Sequence, residues 1–413
     1  MTLKFDVANA RQQFPALALI DTGKPRVYFD NPAGTQVPQL VIDAMVDVLK
    51  NKNANLGGLF KTTKDATALV DDAHQALADF YNATSPEEIV FGQNMTSLTL
   101  HFSRCLAKRF KAGDEIILSR MDHDANVGPW LQMAADLGMV VKWLDFNPET
   151  YEFADDALTK VLSSKTKLLA MGMASNCTGT VNDTAVFAKQ AKAAGALVYL
   201  DGVQMAPHYS IDVQALGADV VVSSAYKWFG PHQGILWAPK SLLQETFAYK
   251  VRAVSDSEIG HKFETGTQSH EGMAGCAAAV DYLTCFGEGS TRAAKLKSAW
   301  ANLAAYEQGI TLQLIEGLKN FKGLTIRGVT SANAMHRRVP TVSFTVDGVH
   351  PDKIAKHLAD DNIFVWSGHN YALEPITRMG LMDKGGVTRV GLAHYNTAEE
   401  VEALLSSLRK TLK

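Results

Sequence analysis

The chain contains few cysteines, and they are not spaced as metal ligands. Its 413 residues include four cysteines, no two of which form a C-x-x-C pair. This pattern predicts neither a disulfide framework nor a zinc site, and it is typical of a reducing cytoplasm. We therefore expect a cytoplasmic protein and assign no metal ligands. The cysteines are Cys105, Cys177, Cys276 and Cys285.

The sequence also lacks an excess of basic residues and any long hydrophobic run. The formal net charge is −3 at pH 7, whereas a nucleic-acid partner favours a basic surface. Every apolar stretch is shorter than the roughly 18 residues that indicate a transmembrane helix. The first 17 residues contain no apolar core of a signal peptide. We expect neither a nucleic-acid partner nor a membrane partner.

Strand-like and helical patterns alternate in the part of the chain that precedes residue 291. Hydrophobic residues make up 46% and charged residues 20% of the sequence, an ordinary globular balance. From about residue 85, short apolar runs alternate with helical patterns. This order predicts an α/β domain with a mainly parallel sheet covered on both faces. The expected strands are residues 115–119, 140–144, 167–173, 197–201 and 219–223.

The sequence pattern changes beyond Thr291, where a long helical stretch is followed by a strand-like segment and further helical segments. The length allows two domains, or one large domain with a smaller one. We place the large domain at residues 18–290 and a small C-terminal α+β domain at 291–413. Residues 1–17 are expected to form an N-terminal arm that packs on the small domain.

Two of the expected strands end close to an acid and a lysine. Residues 197–200 lead directly into Asp201, and residues 220–222 are followed shortly by Lys227. Each alone is typical of a turn acid or a solvated loop lysine. Ligands of α/β sheets, however, bind at strand ends. There a lysine can form a Schiff base and an acid can hold a pyridinium nitrogen, the two groups that pyridoxal phosphate (PLP) needs most.

Further positions fit such a cofactor. Thr96 or Ser97 lies where a polar turn enters a helix, and free N–H groups there attract a phosphate, although Thr and Ser are also common N-caps. His123 follows strand 115–119 and could stack on a flat ring. Asn176 and Gln204 could donate to a cofactor oxygen, or they could be turn amides. A nucleotide P-loop is absent from the sequence.

Segments spread over nearly the whole chain resemble, in the same order, the cysteine desulfurase-like branch of the class V aminotransferases. The resemblance implies the PLP-dependent transferase fold type I. That fold has a large domain with a mainly parallel seven-stranded sheet, a small C-terminal α+β domain, and a homodimeric assembly. The segments are DNPAGTQ (30–36), MDHDAN (121–126), SNCTGTVN (175–182), DGVQMAPH (201–208), SSAYKWFGPHQGIL (223–236), FETGTQ (263–268), GHNYA (368–372) and TRVGLAHYNT (388–397).

The resemblance also implies residue roles. Lys227 matches the Schiff-base lysine, Asp201 the pyridinium partner and His123 the stacking histidine, and these three form the catalytic set. Thr267 matches a phosphate contact that reaches in from the other subunit. The remaining expected cofactor contacts are Met95, Thr96, Asn176, Gln204, Ser224 and Tyr226, and the expected substrate contacts are Arg389, which matches the arginine that binds the substrate carboxylate, Asn31 and Tyr371.

Two departures from the family pattern bear on the reaction. Where members often read S-G-H-K, this chain reads Ser224-Ala225-Tyr226-Lys227, and a tyrosine can still hydrogen-bond a phosphate. Where desulfurases place the cysteine that takes up sulfur as a persulfide, this chain has Tyr371. No cysteine occurs in residues 286–413. Cys177, beside Asn176, remains a candidate nucleophile.

These observations predict a PLP-dependent enzyme that acts on a small amino acid. We expect a desulfurase-like lyase that performs C–S or other β-elimination without the usual persulfide cysteine. Aminotransferase or amino-acid racemase or epimerase activity is the alternative, with Tyr371 as a second acid. A non-catalytic PLP-binding protein is a remote alternative.

Overall fold

A computed structural model describes residues 5–21 and 23–412 of the protein. Its centre is a seven-stranded sheet in which only Gly234–Trp237 runs antiparallel to its neighbours. The expected α/β class with a mainly parallel seven-stranded sheet is therefore confirmed. The strands, in spatial order, are Ile89–Gly92, Gly234–Trp237, Val220–Ser224, Leu197–Asp201, Thr166–Gly172, Glu115–Ser119 and Val140–Leu144.

Both faces of this sheet are covered, because successive side chains of the central strands pack into two different cores. Ile117 and Leu169 belong to one apolar cluster, whereas Ile116 and Leu168 belong to the other. This alternation is what a parallel sheet buried on both faces requires. The α-helices of this region are Gln39–Asp47, Lys61–Tyr81, Met95–Leu106, Gly128–Leu137, Thr184–Ala193, Val213–Leu216, Lys240–Glu245 and His270–Thr284.

The strand bounds agree closely with the expected ones. Strands Glu115–Ser119, Val140–Leu144 and Leu197–Asp201 begin and end where the apolar runs do. The other two, Thr166–Gly172 and Val220–Ser224, differ by one residue at each end. The carboxyl ends of the parallel strands therefore bring Asp201 and Ser224 to one edge of the sheet.

The C-terminal region forms a four-stranded antiparallel sheet with helices packed against it. Its longest helix, Arg292–Leu318, contributes Leu314 and Leu318 to an apolar cluster shared with Val342 and Leu404. The strands, in spatial order, are Leu324–Arg327, Thr341–Val346, Val387–Gly391 and Trp366–Gly368. The other α-helices are Pro351–Asp360, Leu373–Arg378 and Ala398–Thr411.

The N-terminal segment packs between the two regions. Arg11, in helix Val7–Gln12, forms an ion pair with Glu400 at 2.7 Å. The ring of Phe14 lies 5.3 Å from that of Tyr282 and 4.5 Å from that of Tyr395. The segment therefore contacts both the C-terminal region and the large region. Residues 1–4 lie outside the described part of the chain.

Two pairs of short strands involve the residues that follow the N-terminal segment. Val27–Tyr28 pairs in parallel with Ile363–Phe364 of the C-terminal region, and Ile20–Asp21 pairs with Lys24–Pro25. The first of these pairings joins residues expected in the large domain to residues expected in the small domain. The limits 18–290 and 291–413 stay a prediction.

All four cysteines are free, and only Cys285 is exposed. Among residues 5–21 and 23–412, no helix combines the length and the apolar character needed to span a bilayer.

Candidate active site

Two adjoining hollows lie at the carboxyl edge of the large sheet. The outer cavity has a volume of about 620 Å³, and the inner recess about 50 Å³. They share part of their lining, including Lys227, His123 and Asn176. The inner recess is lined by nine of the predicted site residues, which are Met95, Thr96, His123, Asn176, Asp201, Gln204, Ser224, Tyr226 and Lys227.

Lys227 lies on a short turn, Ala225–Lys227, directly after strand Val220–Ser224. Its Nζ donates hydrogen bonds to the carbonyl oxygens of Pro32 at 2.7 Å and Ala33 at 2.8 Å. Burial, helped by the charge of Arg389, lowers the pKa of Lys227 to about 7. A buried lysine with this pKa is partly neutral near pH 7, as a nucleophile or general base must be.

Asp201 ends its strand inside the inner recess. Its Oδ1 accepts a hydrogen bond from the backbone N–H of Val203 at 2.8 Å. Burial raises the pKa of Asp201 to about 6, against the effects of that hydrogen bond and of the Lys227 charge. A cationic partner in the recess would keep this carboxylate ionised, because an opposite charge favours the charged form.

His123 caps the turn Asp124–Asn126, where its Nδ1 accepts a hydrogen bond from the Ala125 N–H at 3.0 Å. Burial, with the charges of Lys227 and Arg389, lowers the pKa of His123 to about 3. The ring is therefore neutral at physiological pH, and it lines the recess. Its plane is inclined by 28° to the ring of Tyr371, with centroids 5.7 Å apart.

Asp122 is a second buried acid in the recess, and it was not predicted as a site residue from the sequence. Its Oδ1 accepts from the Gly172 N–H at 2.9 Å, and its Oδ2 accepts from Asn126 Nδ2 at 2.7 Å. Burial raises the pKa of Asp122 to about 7. These bonds fix the loop of His123 against strand Thr166–Gly172. The only sequence signal was its place beside His123 in MDHDAN.

The start of helix Met95–Leu106 forms one end of the recess. Asn94 caps this helix by accepting from the Ser97 N–H at 2.9 Å, and Met95 N–H donates to Ser224 Oγ at 2.9 Å. Thr96, in the first turn, lines both hollows. N–H groups and hydroxyls at a helix start are suited to a phosphate.

Two amides in the recess are only partly satisfied. Asn176 Nδ2 donates to the Asn370 carbonyl at 2.8 Å, and Gln204 Nε2 donates to the Pro32 carbonyl at 2.9 Å. The buried oxygen of each amide has no hydrogen-bond partner among the described residues. A buried unpaired acceptor costs about 1–3 kcal/mol, which a hydrogen-bond donor on a ligand in the recess would offset. Each amide also keeps a second N–H for a cofactor oxygen.

Arg389 lines the outer cavity from strand Val387–Gly391. Its Nη2 lies 3.3 Å from Asp30 Oδ1, and its Nη1 donates to the Asn176 carbonyl at 3.3 Å. Burial lowers the pKa of Arg389, while Asp30 opposes this shift. Asp30 therefore positions the guanidinium. Asp30 belongs to the DNPAGTQ segment, but nothing in the sequence indicated this role.

Tyr371 lies at the rim of the outer cavity and is 68% exposed. Tyr371 and Asn370 are consecutive residues with positive φ, 54° and 52°, a conformation that is uncommon outside glycine. Two hydrogen bonds hold it, because the Tyr371 carbonyl accepts from the Asp124 N–H at 2.8 Å and the Asn370 carbonyl accepts from Asn176.

Three of the singled-out residues line neither hollow. Thr267 is exposed on a loop. Asn31 is fully engaged, because its Nδ2 donates to the Gly391 carbonyl and its Oδ1 accepts from the Tyr395 hydroxyl. The roles of Thr267 and Asn31 stay predictions. Cys177 is fully buried, and burial raises the pKa of its thiol to about 12, so the structure gives no support to its role as a nucleophile.

The residues of the inner recess fit PLP. They supply a lysine with a lowered pKa, a buried acid for a pyridinium nitrogen, a neutral flat ring and a helix start for a phosphate. The unpaired amide oxygens further indicate a polar occupant.

A family model described as aminotransferase class-V matches residues 27–404. The aminotransferase-like protein FGM3 of Gibberella zeae is 34% identical over 419 residues and is matched over 99% of each chain. A probable cysteine desulfurase of Synechocystis sp. is 34% identical over 98% of this chain and 96% of the relative. A cysteine desulfurase of Yersinia pestis is 31% identical over 100% and 99%.

Solved structures agree with these sequence matches. The apo cysteine desulfurase of Thermococcus onnurineus NA1 superimposes with a TM-score of 0.88 at 26% identity, covering 100% of this chain and 99% of that one. The cysteine desulfurase CsdA of Escherichia coli gives a TM-score of 0.84 at 27% identity, covering 99% and 98%. The whole chain therefore has the fold of these enzymes.

Replacing the Asp201 carboxylate by an amide tests its assigned role. Asp201→Asn should retain PLP but lose turnover by more than about a hundredfold, because a neutral amide cannot keep a pyridinium nitrogen charged and one charge-assisted bond is worth roughly 1.5–3 kcal/mol. Steady-state kinetics with PLP quantified in the same sample measure this. Asp219→Asn, which alters an acid at the opposite edge of the sheet, is the control and should stay near the parent rate. Comparable rates in Asp201→Asn and the parent would refute the assignment.

Proposed function

Because the chain belongs to the class V aminotransferase family, we propose that it is a PLP-dependent lyase acting on a small amino acid. Family membership makes it a PLP-dependent enzyme. The proposal adds that it eliminates a substituent from the β-carbon, for example sulfur from cysteine, without a persulfide cysteine. The observation that carries this addition is that none of the four cysteines lines the outer cavity or the inner recess.

The inner recess binds the cofactor in this proposal. PLP, when bound, supplies an electron sink for the charge that develops at the substrate's α-carbon. Lys227 is its attachment point, Asp201 binds the ring nitrogen, and His123 lies against the ring. The first turn of helix Met95–Leu106, with Ser224, binds the phosphate. Each assignment is supported by the place of the side chain in the lining.

The outer cavity binds the amino acid. The guanidinium of Arg389 binds the substrate carboxylate, for which its fork geometry is suited. Asp30 positions that guanidinium through an ion pair in which Oδ1 of Asp30 lies 3.3 Å from Nη2 of Arg389. Lys227, with its pKa lowered to about 7, takes the proton from the α-carbon as a general base. The carbonyl oxygens of Pro32 and Ala33 keep the amine at the boundary between the two hollows.

The chain's thiols are poorly placed for sulfur transfer. Tyr371 occupies the position of the persulfide cysteine, and its phenol cannot form a persulfide. Cys177 packs beneath this loop in an apolar cluster with Ala372 and Ile376. Cys285 is exposed directly after helix His270–Thr284. Release of sulfide by direct elimination needs no protein thiol.

A second activity has its own support. Tyr371 lies at the rim of the outer cavity with its ring near His123, so its hydroxyl could serve as a second acid in transamination or racemisation. The aminotransferase-like relative from Gibberella zeae is as similar to the chain as the Synechocystis desulfurase is. Product analysis separates these activities from elimination.

Incubating the holoenzyme with cysteine tests the proposed route. We expect sulfide, pyruvate and ammonia in equal amounts, because β-elimination followed by addition of water yields these three products. No persulfide should be found when the protein is alkylated and its peptides are mapped. A panel of other amino acids, with and without an added keto acid, reports transamination or racemisation.

The controls are Cys285→Ser and Cys177→Ser, which should retain activity. Alanine as the product, together with a stoichiometric persulfide on any cysteine, would overturn the elimination route. The Tyr371→Phe variant then tests whether the phenol hydroxyl has a role in turnover. Loss of turnover with intact PLP binding would identify an acid or substrate contact, and unchanged turnover would leave Tyr371 as part of the cavity wall.

We also propose that the enzyme is a homodimer with shared active sites. Thr267 lies outside both hollows of its own chain, as expected if it reaches the partner's phosphate. Exposed apolar side chains, which an interface would cover, occur on two stretches of the sequence, one before and one after the strands of the large sheet. They are Leu56, Leu59, Phe60, Phe247, Tyr249 and Val251.

The four free cysteines support the proposed cytoplasmic location.

Hybrid dimers test the shared sites. Lys227→Ala and Thr267→Ala subunits, each inactive or impaired as homodimers, should regain about half the parent activity when combined, because one hybrid site carries both changes and the other carries neither. The hybrid is isolated with two different affinity tags and assayed. The proposal would be contradicted by a hybrid no more active than the mean of the two mutant homodimers. It would also be contradicted by a fully active protein that light scattering shows to be a monomer.

A further inference from the structure

A compact group of two histidines and a glutamate lies outside the active site. His74 belongs to helix Lys61–Tyr81, and His261 and Glu264 belong to the turn and loop that precede Thr267. His74 Nε2 lies 2.9 Å from Glu264 Oε1, and His261 Nδ1 lies 2.9 Å from Glu264 Oε2. One ligand atom from each of the three residues lies within 4.8 Å of the others.

The hydrogen bonds around this group fix which atoms face its centre. His74 Nδ1 lies 2.8 Å from the Val70 carbonyl oxygen. A carbonyl can only accept, so Nδ1 carries a proton and Nε2 is directed at Glu264. A histidine held in this way by a backbone carbonyl is the usual support of a metal-ligating imidazole. Glu264 Oε1 is fixed in turn by the Phe91 N–H at 2.8 Å.

Each carboxylate oxygen of Glu264 faces an imidazole nitrogen at 2.9 Å, His74 Nε2 on one side and His261 Nδ1 on the other. A buried carboxylate and two imidazole nitrogens therefore converge in one compact group. His261 is the exposed member, with 45% of its side chain accessible, whereas the side chains of His74 and Glu264 are 5% and 6% accessible.

We propose that His74, His261 and Glu264 bind a divalent transition-metal ion, Zn²⁺ in the first place. Two imidazole nitrogens and one carboxylate oxygen, with water in the fourth position, form a donor set that suits tetrahedral Zn²⁺. Zn²⁺ would replace the protons that now lie between the carboxylate and the imidazoles. The half-exposed His261 provides both the path of entry and the small movement needed to bring ligand atoms to metal-bond distances.

This site departs from the expectation that the chain binds no metal. The sequence could not reveal it, because His74 and Glu264 are separated by 190 positions. Metal binding would tie helix Lys61–Tyr81 and strand Ile89–Gly92 to the loop that carries Thr267. An effect on the partner's phosphate site rests on the proposed function, whereas metal binding itself does not.

Titration of the full-length holoenzyme with Zn²⁺ tests the site. The experiment uses a Cys285→Ser background, which removes the one exposed thiol. We expect one Zn²⁺ per chain by calorimetry and elemental analysis, and a higher unfolding temperature with Zn²⁺ than with Mg²⁺, which prefers oxygen ligands. His261→Ala should weaken Zn²⁺ binding at least about tenfold. His336→Ala changes an exposed histidine of the C-terminal region and should bind Zn²⁺ as tightly as the parent protein does.

Two results would overturn the site. One is the absence of stoichiometric Zn²⁺ binding, and the other is equal affinity in the parent and in His261→Ala. The unfolding temperature of His261→Ala without added metal shows that the variant is folded. Because the titration involves no turnover, its failure would leave the proposed function unaffected, and a failed activity assay would leave the metal site unaffected.

Discussion

The two hydrogen bonds from Lys227 Nζ to the carbonyl oxygens of Pro32 and Ala33 connect the parts from which the active site is built. They join the carboxyl edge of the large sheet to a segment near the N-terminus. In the same segment, Asp30 holds Arg389 of the small region. Strand Val387–Gly391 approaches it so closely that a Cβ on Gly391 would lie 2.1 Å from Pro32. One short segment therefore sets the position of the lysine and of the carboxylate-binding arginine together.

Burial tunes the charges around this segment. It lowers the pKa of Lys227 to about 7 and raises those of Asp201 and Asp122 to about 6 and about 7. Groups that would be fully charged in water are thereby brought near the pH at which protons are exchanged, which is the condition for general acid–base catalysis. A bound cofactor or substrate that adds a charge would shift this balance, so binding and proton transfer are coupled.

Much of the fold could be predicted from the sequence, because apolar runs of strand length alternate with helical patterns and end at polar residues. Asp201 and Lys227 were identified for the same reason. Asp30, the carbonyls of Pro32 and Ala33, and the bonds of Asp122 were not, since their roles arise from contacts between segments far apart in the chain. The site of His74, His261 and Glu264 is a similar case. No local pattern reports the positive φ of Tyr371, which depends on its hydrogen bonds to neighbouring loops.

Borohydride reduction determines whether Lys227 is the residue to which the cofactor is attached. The holoenzyme is reduced, digested and mapped by mass spectrometry. We expect a yellow protein and the mass of the cofactor on the peptide that contains Lys227, with no label in Lys227→Ala. Label on another lysine, such as the buried Lys262, or a protein that stays colourless with added PLP, would contradict it.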